Sequence, residues 1–242
     1  MKNKISLLIL FLLMILPTNT GAGMEGYELV SQNNKENITL YGKKMDGLFR
    51  GFKIAFKGAI YTRTFWNSET SPTYAPQIFY TDINEDQKKE LIITLTTGHG
   101  TGLLWEEVHV FDTLDNRLNV SEVIVDHPLA IIYKNVKTKL SNEEAEIHIG
   151  DKVYKVDITP FEIKPENLFN DIGFGSIIDY EVMNNILMVR VSGQITPAMF
   201  IGDVIITYEF HDQMYQAKTI SFITDIAKNP FYGPVKHEAI FN

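Results

Sequence analysis

The chain has 242 residues, no cysteine and a formal net charge of −8. The absence of cysteine excludes disulfides, thiolate catalysis and a lipid-modified N-terminal cysteine. The negative charge repels phosphate backbones and anionic lipids, so it argues against nucleic acid as a partner and favours divalent cations. The length allows one large domain or two small ones with a substantial core.

The N-terminus is typical of a secretory signal peptide. Residues 1–4 include two lysines, and residues 5–16 are an unbroken apolar run. Pro17 ends this run before a series of small residues. The run is shorter than the ~20 residues that span a bilayer. We therefore expect residues 1–22 to be a signal peptide, with an uncleaved anchor as the alternative. We expect residues 23–242 to form a single all-β domain, without a membrane span, that is secreted or associated with the cell wall.

The rest of the chain is predicted to be all-β. Nearly every periodic segment, including 129–133, has the alternation or the β-branched and aromatic content of a strand. Helical periodicity is confined to one or two turns near 165–170, where Pro165 suits a first-turn position. The predicted strands form four consecutive groups, at about 27–66, 75–124, 128–160 and 172–223. Four-stranded antiparallel units at this spacing are typical of a β-propeller, and a β-sandwich or an irregular barrel is the alternative.

Pairs of turn residues separate the predicted strands. Six hairpin-compatible pairs occur, at 33–34, 115–116, 141–142, 150–151, 184–185 and 212–213. The second and fourth groups share one layout, in which an irregular connection, at 98–102 or 193–197, separates two hairpins. This shared layout favours the repeated units of a propeller-like fold.

The segment 80–91, between two predicted strands, places oxygen-bearing side chains at alternate positions. Asp82, Asn84 and Asp86 are followed by Glu90. A loop that curls around a calcium ion presents every second residue inward, and the ion takes six to eight oxygen ligands. Because three converging carboxylates repel one another without a cation, the spacing predicts a Ca²⁺ site with these four residues as ligands. A solvated acidic hairpin without metal is the alternative.

This loop resembles the calcium-loop blades of the FG-GAP/VCBS family. Asp82, Asn84 and Asp86 match positions 1, 3 and 5 of the family pattern Asp-x-Asn/Asp-x-Asp-Gly-x-x-Asp, whereas Gln87 replaces the glycine and Glu90 replaces the last aspartate. The resemblance implies a calcium-loop unit at about 75–124, with left-handed backbone at position 6. The whole chain also resembles a group of exported proteins of Bacillus-type bacteria, a resemblance that implies no particular activity.

Two apolar residues of the loop are expected to hold it against the core. Ile83 and Leu91, at loop positions 2 and 10, can point away from an ion that the alternating ligands surround. They would then attach both ends of the loop to the buried part of the domain.

A second set of residues has the chemistry of a transition-metal site. His99, Glu107 and His109 together resemble the His₂-carboxylate ligands of zinc or iron. Such a site would make the protein an exported metal-dependent hydrolase that acts on envelope polymers. The alternative is a polar strand face with scattered histidines, since the sequence lacks the helical His-Glu-x-x-His motif and the Gly-x-Ser-x-Gly motif.

Three aromatic residues flank a polar loop. Phe65, Trp66 and Tyr74 have rings that stack on sugars or on a partner chain, although aromatic residues also fill the cores of β-proteins. Taken together, the sequence favours a secreted, non-enzymatic β-protein with a structural calcium site. It is predicted to bind a protein or glycan of the cell envelope, with no catalytic residue and no cofactor other than Ca²⁺.

Overall fold

A computed structural model describes residues 24–114, 117–118 and 122–224. These residues form an all-β fold with one α-helix, which confirms the predicted fold class. The predicted signal peptide and the predicted turn at 115–116 lie outside the described residues. Among the described residues, no helix has the length and apolar character that a membrane crossing requires.

The first predicted group of strands forms a four-stranded antiparallel sheet. Its members are β1 (Glu28–Asn33), β2 (Ile38–Met45), β3 (Leu48–Phe56) and β4 (Ala59–Glu69). They lie in chain order, each paired with the next.

The second and fourth groups join in one eight-stranded sheet. Its members are β5 (Gln77–Thr81), β6 (Glu90–Gly100), β7 (Leu103–Phe111), β10 (Ile124–Val125), β14 (Gly173–Met183), β15 (Ile186–Thr196), β16 (Met199–His211) and β17 (Met214–Ile223). Their order is β10-β17-β16-β15-β14-β7-β6-β5. The two groups are therefore not separate blades as a propeller requires, because β7 and β14 pair in parallel and join them edge to edge.

The third group forms a small unit with the helix. It contains α1 (Pro128–Asn135) and a three-stranded sheet of β11 (Val136–Leu140), β12 (Glu144–Ile149) and β13 (Lys152–Asp157). The strands β8 (Thr113–Leu114) and β9 (Arg117–Leu118) pair separately, and short 3₁₀ turns span Pro72–Tyr74, Thr159–Phe161 and Pro165–Asn167. The last of these lies within the predicted helical segment.

The strand predicted at residues 129–133 is helix α1 instead. Pro128 occupies the first turn, where its missing N–H costs nothing, and the His127 side chain accepts a hydrogen bond from the Leu129 amide at 3.3 Å. These N-terminal features override the strand preference of the isoleucines that follow.

Tight turns close several hairpins at predicted residue pairs. The pairs 150–151, 184–185 and 212–213 each connect two consecutive strands. Asn184 and Asn185 have φ values of 51° and 63°, as a type I′ turn requires. The connections predicted at 98–102 and 193–197 are continuations of β6 and β15 to tight turns at 101–102 and 197–198, and the strand pairing shifts register within or beside each of them.

The core consists of two clusters that meet at β6. Leu91 and Ile93 pack with Phe52 of the four-stranded sheet, whereas Ile92 packs on the other face with Val110 and the β14–β17 strands. Because β6 is covered on both faces, residues 91–93 are three consecutive apolar residues and do not alternate with polar ones.

The eight-stranded sheet curls so that its far strands approach β7. β10 pairs in parallel with β17, and Val123, directly before β10, forms an antiparallel bridge with Val110 of β7. Tyr215 of β17 thereby comes close to the end of β7 and the start of β6.

Candidate functional site

Residues 82–89 connect the edge strand β5 to its neighbour β6 in the eight-stranded sheet. Ile83 is 7% exposed and Leu91 is fully buried, so the prediction that they hold the loop against the core is confirmed. Ile83 enters the cluster of the β14–β17 strands, and Leu91 enters the cluster under the four-stranded sheet. The loop is therefore attached to both faces of the eight-stranded sheet.

Backbone amides of the loop orient three of the predicted ligands. The amide of Gln87 donates to Asp82 Oδ2 at 2.9 Å, and that of Asp86 donates to Asn84 Oδ1 at 3.0 Å. The amide of Lys88 donates to Asp86 Oδ1 at 2.8 Å. Each carboxylate of this set uses one oxygen to shape the loop and keeps the other for a further partner.

The backbone at loop position 6 is left-handed, as the family resemblance implies. Gln87 has φ of 70°, and Glu85 two residues earlier has φ of 62°. Non-glycine residues adopt this region at a cost of about 1 kcal/mol or more. The hydrogen bond from Gln87 to Asp82 helps to hold the strained residue in place.

Glu90 is a buried carboxylate. Its side chain is 1% exposed, and Oε2 accepts a hydrogen bond from the Ile83 amide at 2.8 Å. Burial raises the pKa of Glu90 to about 7, against the opposing effect of that hydrogen bond, and the charges of Asp86, Asp82 and Asp112 raise it further. The protein thus places a carboxylate where its charged form is unfavourable unless a cation is near.

Asp112 is a fourth acid that sequence reasoning missed. Leu91 pairs with Phe111 across β6 and β7, so Asp112 follows β7 directly opposite Glu90. Like charges that face each other across strands are destabilising. Burial raises the pKa of Asp112, as does the charge of Asp86.

Three buried oxygens around this cluster lack a hydrogen-bond partner among the described residues. They are Asp82 Oδ1, Asp112 Oδ1 and Tyr215 Oη. Tyr215 is fully buried, and its pKa is raised first by burial and then by Glu90, Asp112, Asp86 and Asp82. The Tyr215 hydroxyl therefore lies within electrostatic range of these four carboxylates. Unpaired buried polar groups cost about 1–3 kcal/mol each, which points to a missing partner.

The donor set suits calcium, although the ligands are not gathered into a finished shell. Within the described ranges, no three His, Cys, Asp or Glu side chains converge in the arrangement of a metal site. Asp86 is exposed at the tip of the loop, so the loop would need to close further to surround an ion. The donors are carboxylate and amide oxygens, the hard ligands that Ca²⁺ takes.

The predicted transition-metal set is not assembled. His99 lies opposite Leu104 in the β6–β7 ladder, and Leu104 is five residues from His109, or about 16 Å along the strand. His99 instead pairs with Glu69 at 3.6 Å and stacks on Tyr74 with a centroid distance of 4.2 Å. His99 of β6 therefore lies near the turn of the β6–β7 hairpin, away from Glu107 and His109 of β7, so the three residues do not share one site and the alternative of a polar strand face with scattered histidines holds.

His109 has a different partner from the one predicted. Its Nδ1 lies 2.8 Å from Glu122 Oε2, whereas its Nε2 is 3.9 Å from Glu107. Its ring stacks on Trp66 with a centroid distance of 3.9 Å. These contacts fix the histidine as part of the packing between β4 and β7.

The three aromatic residues considered for binding do not form one platform. Trp66 is 8% exposed and belongs to the core, whereas Phe65 is 94% exposed. Tyr74 stacks on His99. Only Phe65 presents a free ring, so the alternative that these aromatics fill the core holds for Trp66.

Comparison of the chain with protein-family models, with curated proteins and with solved structures finds no match. The likeness of the loop to the FG-GAP/VCBS family therefore stays a prediction from the sequence. The function is inferred from the loop geometry together with the sequence.

Proposed function

We propose that the 82–90 loop binds one calcium ion through Asp82, Asn84, Asp86 and Glu90, with Asp112 as a further carboxylate. The observation that carries this proposal is that two buried carboxylate oxygens, Asp82 Oδ1 and Asp112 Oδ1, have no hydrogen-bond partner among the described residues, beside the buried carboxylate of Glu90. A dication would neutralise their repulsion and favour the ionised form of each carboxylate.

The proposed role of the ion is structural. Asp82 follows β5, Glu90 begins β6 and Asp112 follows β7, so one ion would tie together three strand ends. Binding to the folded state alone makes stability depend on external calcium. The left-handed Gln87 and the amide bonds to the ligand side chains support a loop of the FG-GAP/VCBS type.

We further propose that the mature protein is exported and non-enzymatic, and that it binds a protein or glycan of the cell envelope. The apolar N-terminal run supports export. The exposed ring of Phe65 supports a binding role. Mass spectrometry of protein from the culture medium should show a chain that lacks residues 1–22, and a full-length mass retained in the cells would contradict export.

The calcium proposal is tested by unfolding the mature protein in denaturant, in 1–2 mM Ca²⁺ and in EGTA. We expect calcium to raise the free energy of unfolding by ~1.5–3 kcal/mol, for an ion at roughly 10–100 times the dissociation constant of an extracellular site. Asp82→Ala and Asp86→Ala should abolish this response, because each removes charge that the dication needs. Asp151→Ala, in the exposed 150–151 turn, is the matched control and should keep it.

Equal free energies of unfolding in calcium and in EGTA would contradict the proposal. A response that survives Asp82→Ala and Asp86→Ala would mean that calcium binds elsewhere on the chain. Loss of the response in Asp151→Ala would mean that general surface charge, and not this loop, sets the effect.

A further inference from the structure

A cleft of about 860 Å³ separates α1 and the three-stranded sheet from β17. Its volume lies within the range of small-molecule sites. Lys134 at the end of α1 and Lys137 of β11 line one wall with His148 of β12, and Lys218 of β17 lines the other. Among the described residues that line it, Asp126 is the one acidic residue. The cleft therefore has basic residues on both walls, of which Lys218 pairs with Glu209 at 3.8 Å.

The basic residues of the cleft belong to a chain whose net charge is negative. The whole chain has a net charge of −8, so cations gathered in one concave site are not what the average surface predicts. Neither Lys134 nor Lys137 makes an ion pair with a described residue, whereas Lys89, Lys155 and Lys218 do. The two unpaired ammonium groups are available to a ligand.

The register of β11 and β12 shows that the lysine in the cleft and the lysine outside it have different cross-strand partners. Lys139 lies opposite Glu146, an attractive pair, whereas Lys137 lies opposite His148. Opposite charges facing each other stabilise a sheet, and a lysine facing an imidazole lacks that benefit. The cross-strand pair with Glu146 explains why a lysine is favourable at position 139, whereas no such pair explains the lysine at position 137.

The lining residues also include apolar side chains, among them Ile131, Ile149 and Ile220. We infer that the cleft binds a compact organic anion with at least two phosphate or carboxylate groups. Lysine acts on such groups as a mobile point charge. A long polyanion is disfavoured because the chain as a whole has a net charge of −8.

Calorimetric titration tests this inference with two probes, glucose 1,6-bisphosphate and tricarballylate, with 1 mM calcium present throughout. We expect saturable binding of at least one probe that weakens as salt is added. Lys137→Gln and Lys134→Gln should each weaken it about tenfold, through loss of one charge-assisted hydrogen bond. Lys139→Gln, on the same strand but opposite Glu146, should change the affinity less than twofold.

The preference between the probes identifies phosphate or carboxylate as the group recognised, and either preference supports the site. Absence of saturable binding of both probes at millimolar concentration would overturn it. An equal loss in Lys139→Gln and Lys137→Gln would also overturn it, because the effect would then be general screening. Circular dichroism checks folding, which these exposed positions should not disturb. The calcium ligands do not line this cleft, so the outcome is independent of the calcium proposal.

Discussion

Two hairpins of the eight-stranded sheet each connect a pair of residues that lie directly opposite one another, but their connecting loops differ in length. Met183 pairs with Ile186 at the end of β14 and β15, and two asparagines connect them. Thr81 pairs with Glu90 at the end of β5 and β6 in the same way, yet residues 82–89 connect this pair. The two connections are neighbours, since Thr81 Oγ1 lies 2.5 Å from Asn185 Oδ1.

The comparison separates what the fold requires from what the loop adds. A two-residue type I′ turn closes a hairpin with the twist of its strands, and Asn184 and Asn185 show that this sheet accepts one. The acidic loop is longer than the strand pairing demands. Its extra residues place carboxylates beside Glu90 and Asp112, at an electrostatic cost that a structural cation would offset.

Replacing residues 82–89 with Asn-Gly tests the comparison most severely. We expect the domain to fold and the calcium response to disappear, since the Thr81–Glu90 pair can be closed by a type I′ turn. In EGTA the variant should lose about 2–4 kcal/mol, because Ile83 leaves the core. Circular dichroism and urea unfolding measure both effects.

Its control is the substitution of Asn185 by glycine, which keeps a type I′ turn and should change stability by about 0.5 kcal/mol or less. A loop-replacement variant that fails to fold would show that the long loop is part of the fold. A persisting calcium response would show that the ion binds outside it.

The pH dependence of stability gives the next largest effect. The pKa of Glu90 is about 7 in the folded protein, against an ordinary value of 4.5. Because the folded state holds the proton more tightly, the contribution of Glu90 to stability is fully present below pH 4.5 and is lost as the pH rises through about 7. We expect a loss of about 1–3 kcal/mol in EGTA across this window, and calcium should remove much of it by favouring the ionised carboxylate.

Glu90→Gln identifies the residue responsible for this dependence. The variant should have a flatter pH profile in EGTA and a weakened calcium response, measured by urea unfolding at several pH values. A profile in EGTA that matches the unsubstituted protein would contradict the assignment to Glu90.

Glu106 provides a calcium-independent counterpart with a smaller effect. Burial raises its pKa to about 7, although its oxygens accept hydrogen bonds from the Tyr180 amide at 2.8 Å and from Thr96 at 3.3 Å. Its contribution is likewise present below pH 4.5 and lost as the pH rises through about 7. We expect Glu106→Gln to remove about 1 kcal/mol of pH dependence equally in calcium and in EGTA. A difference between the two media would mean that Glu106 is coupled to the loop.

The smallest expected effect comes from the backbone of Gln87. Gln87→Gly should stabilise the protein by about 0.5–1 kcal/mol in EGTA, because glycine adopts positive φ without strain. Gln213→Gly is a matched control, since Gln213 has φ of 64° in the 212–213 turn. Both should gain similar stability; Gln87→Gly should preserve or strengthen calcium binding, and Gln213→Gly should leave it unchanged. Weaker calcium binding in Gln87→Gly would mean that the loop departs from the family geometry.

The strands and tight turns were predictable because their signals are local. The alternating pattern, the Asn184–Asn185 pair and the spacing of Asp82, Asn84 and Asp86 can all be read within a few residues. The pairing of β7 with β14 was not, since parallel pairing joins segments about 70 residues apart and leaves no short-range pattern. Helix α1 was not predicted because its isoleucines favour strands. The features that favour a helix there are the His127 cap and Pro128 in the first turn.

Asp112 shows why the rest of the site could not be predicted. A regular β6–β7 hairpin counted back from its turn at 101–102 would place Thr113 opposite Glu90. The register shifts by one residue between Thr96 and Gly98, which brings Asp112 opposite Glu90 instead. A bulge of this kind changes which side chains meet without a reliable mark in the sequence.

We expect local unfolding of the sheet to begin at the parallel contact between β7 and β14. Only Leu104 with Ile177 and Trp105 with Ile178 pair there, whereas β14 and β15 pair along most of their length. Local unfolding follows the line with the fewest hydrogen bonds to break. We expect backbone amides along this seam to exchange with deuterium sooner than those in the centre of β15. β7 and β14 would thus separate locally at this short contact, beside the hydrogen bond from the Tyr180 amide to Glu106, while the Val110–Val123 bridge and the shared core keep the two groups of strands together.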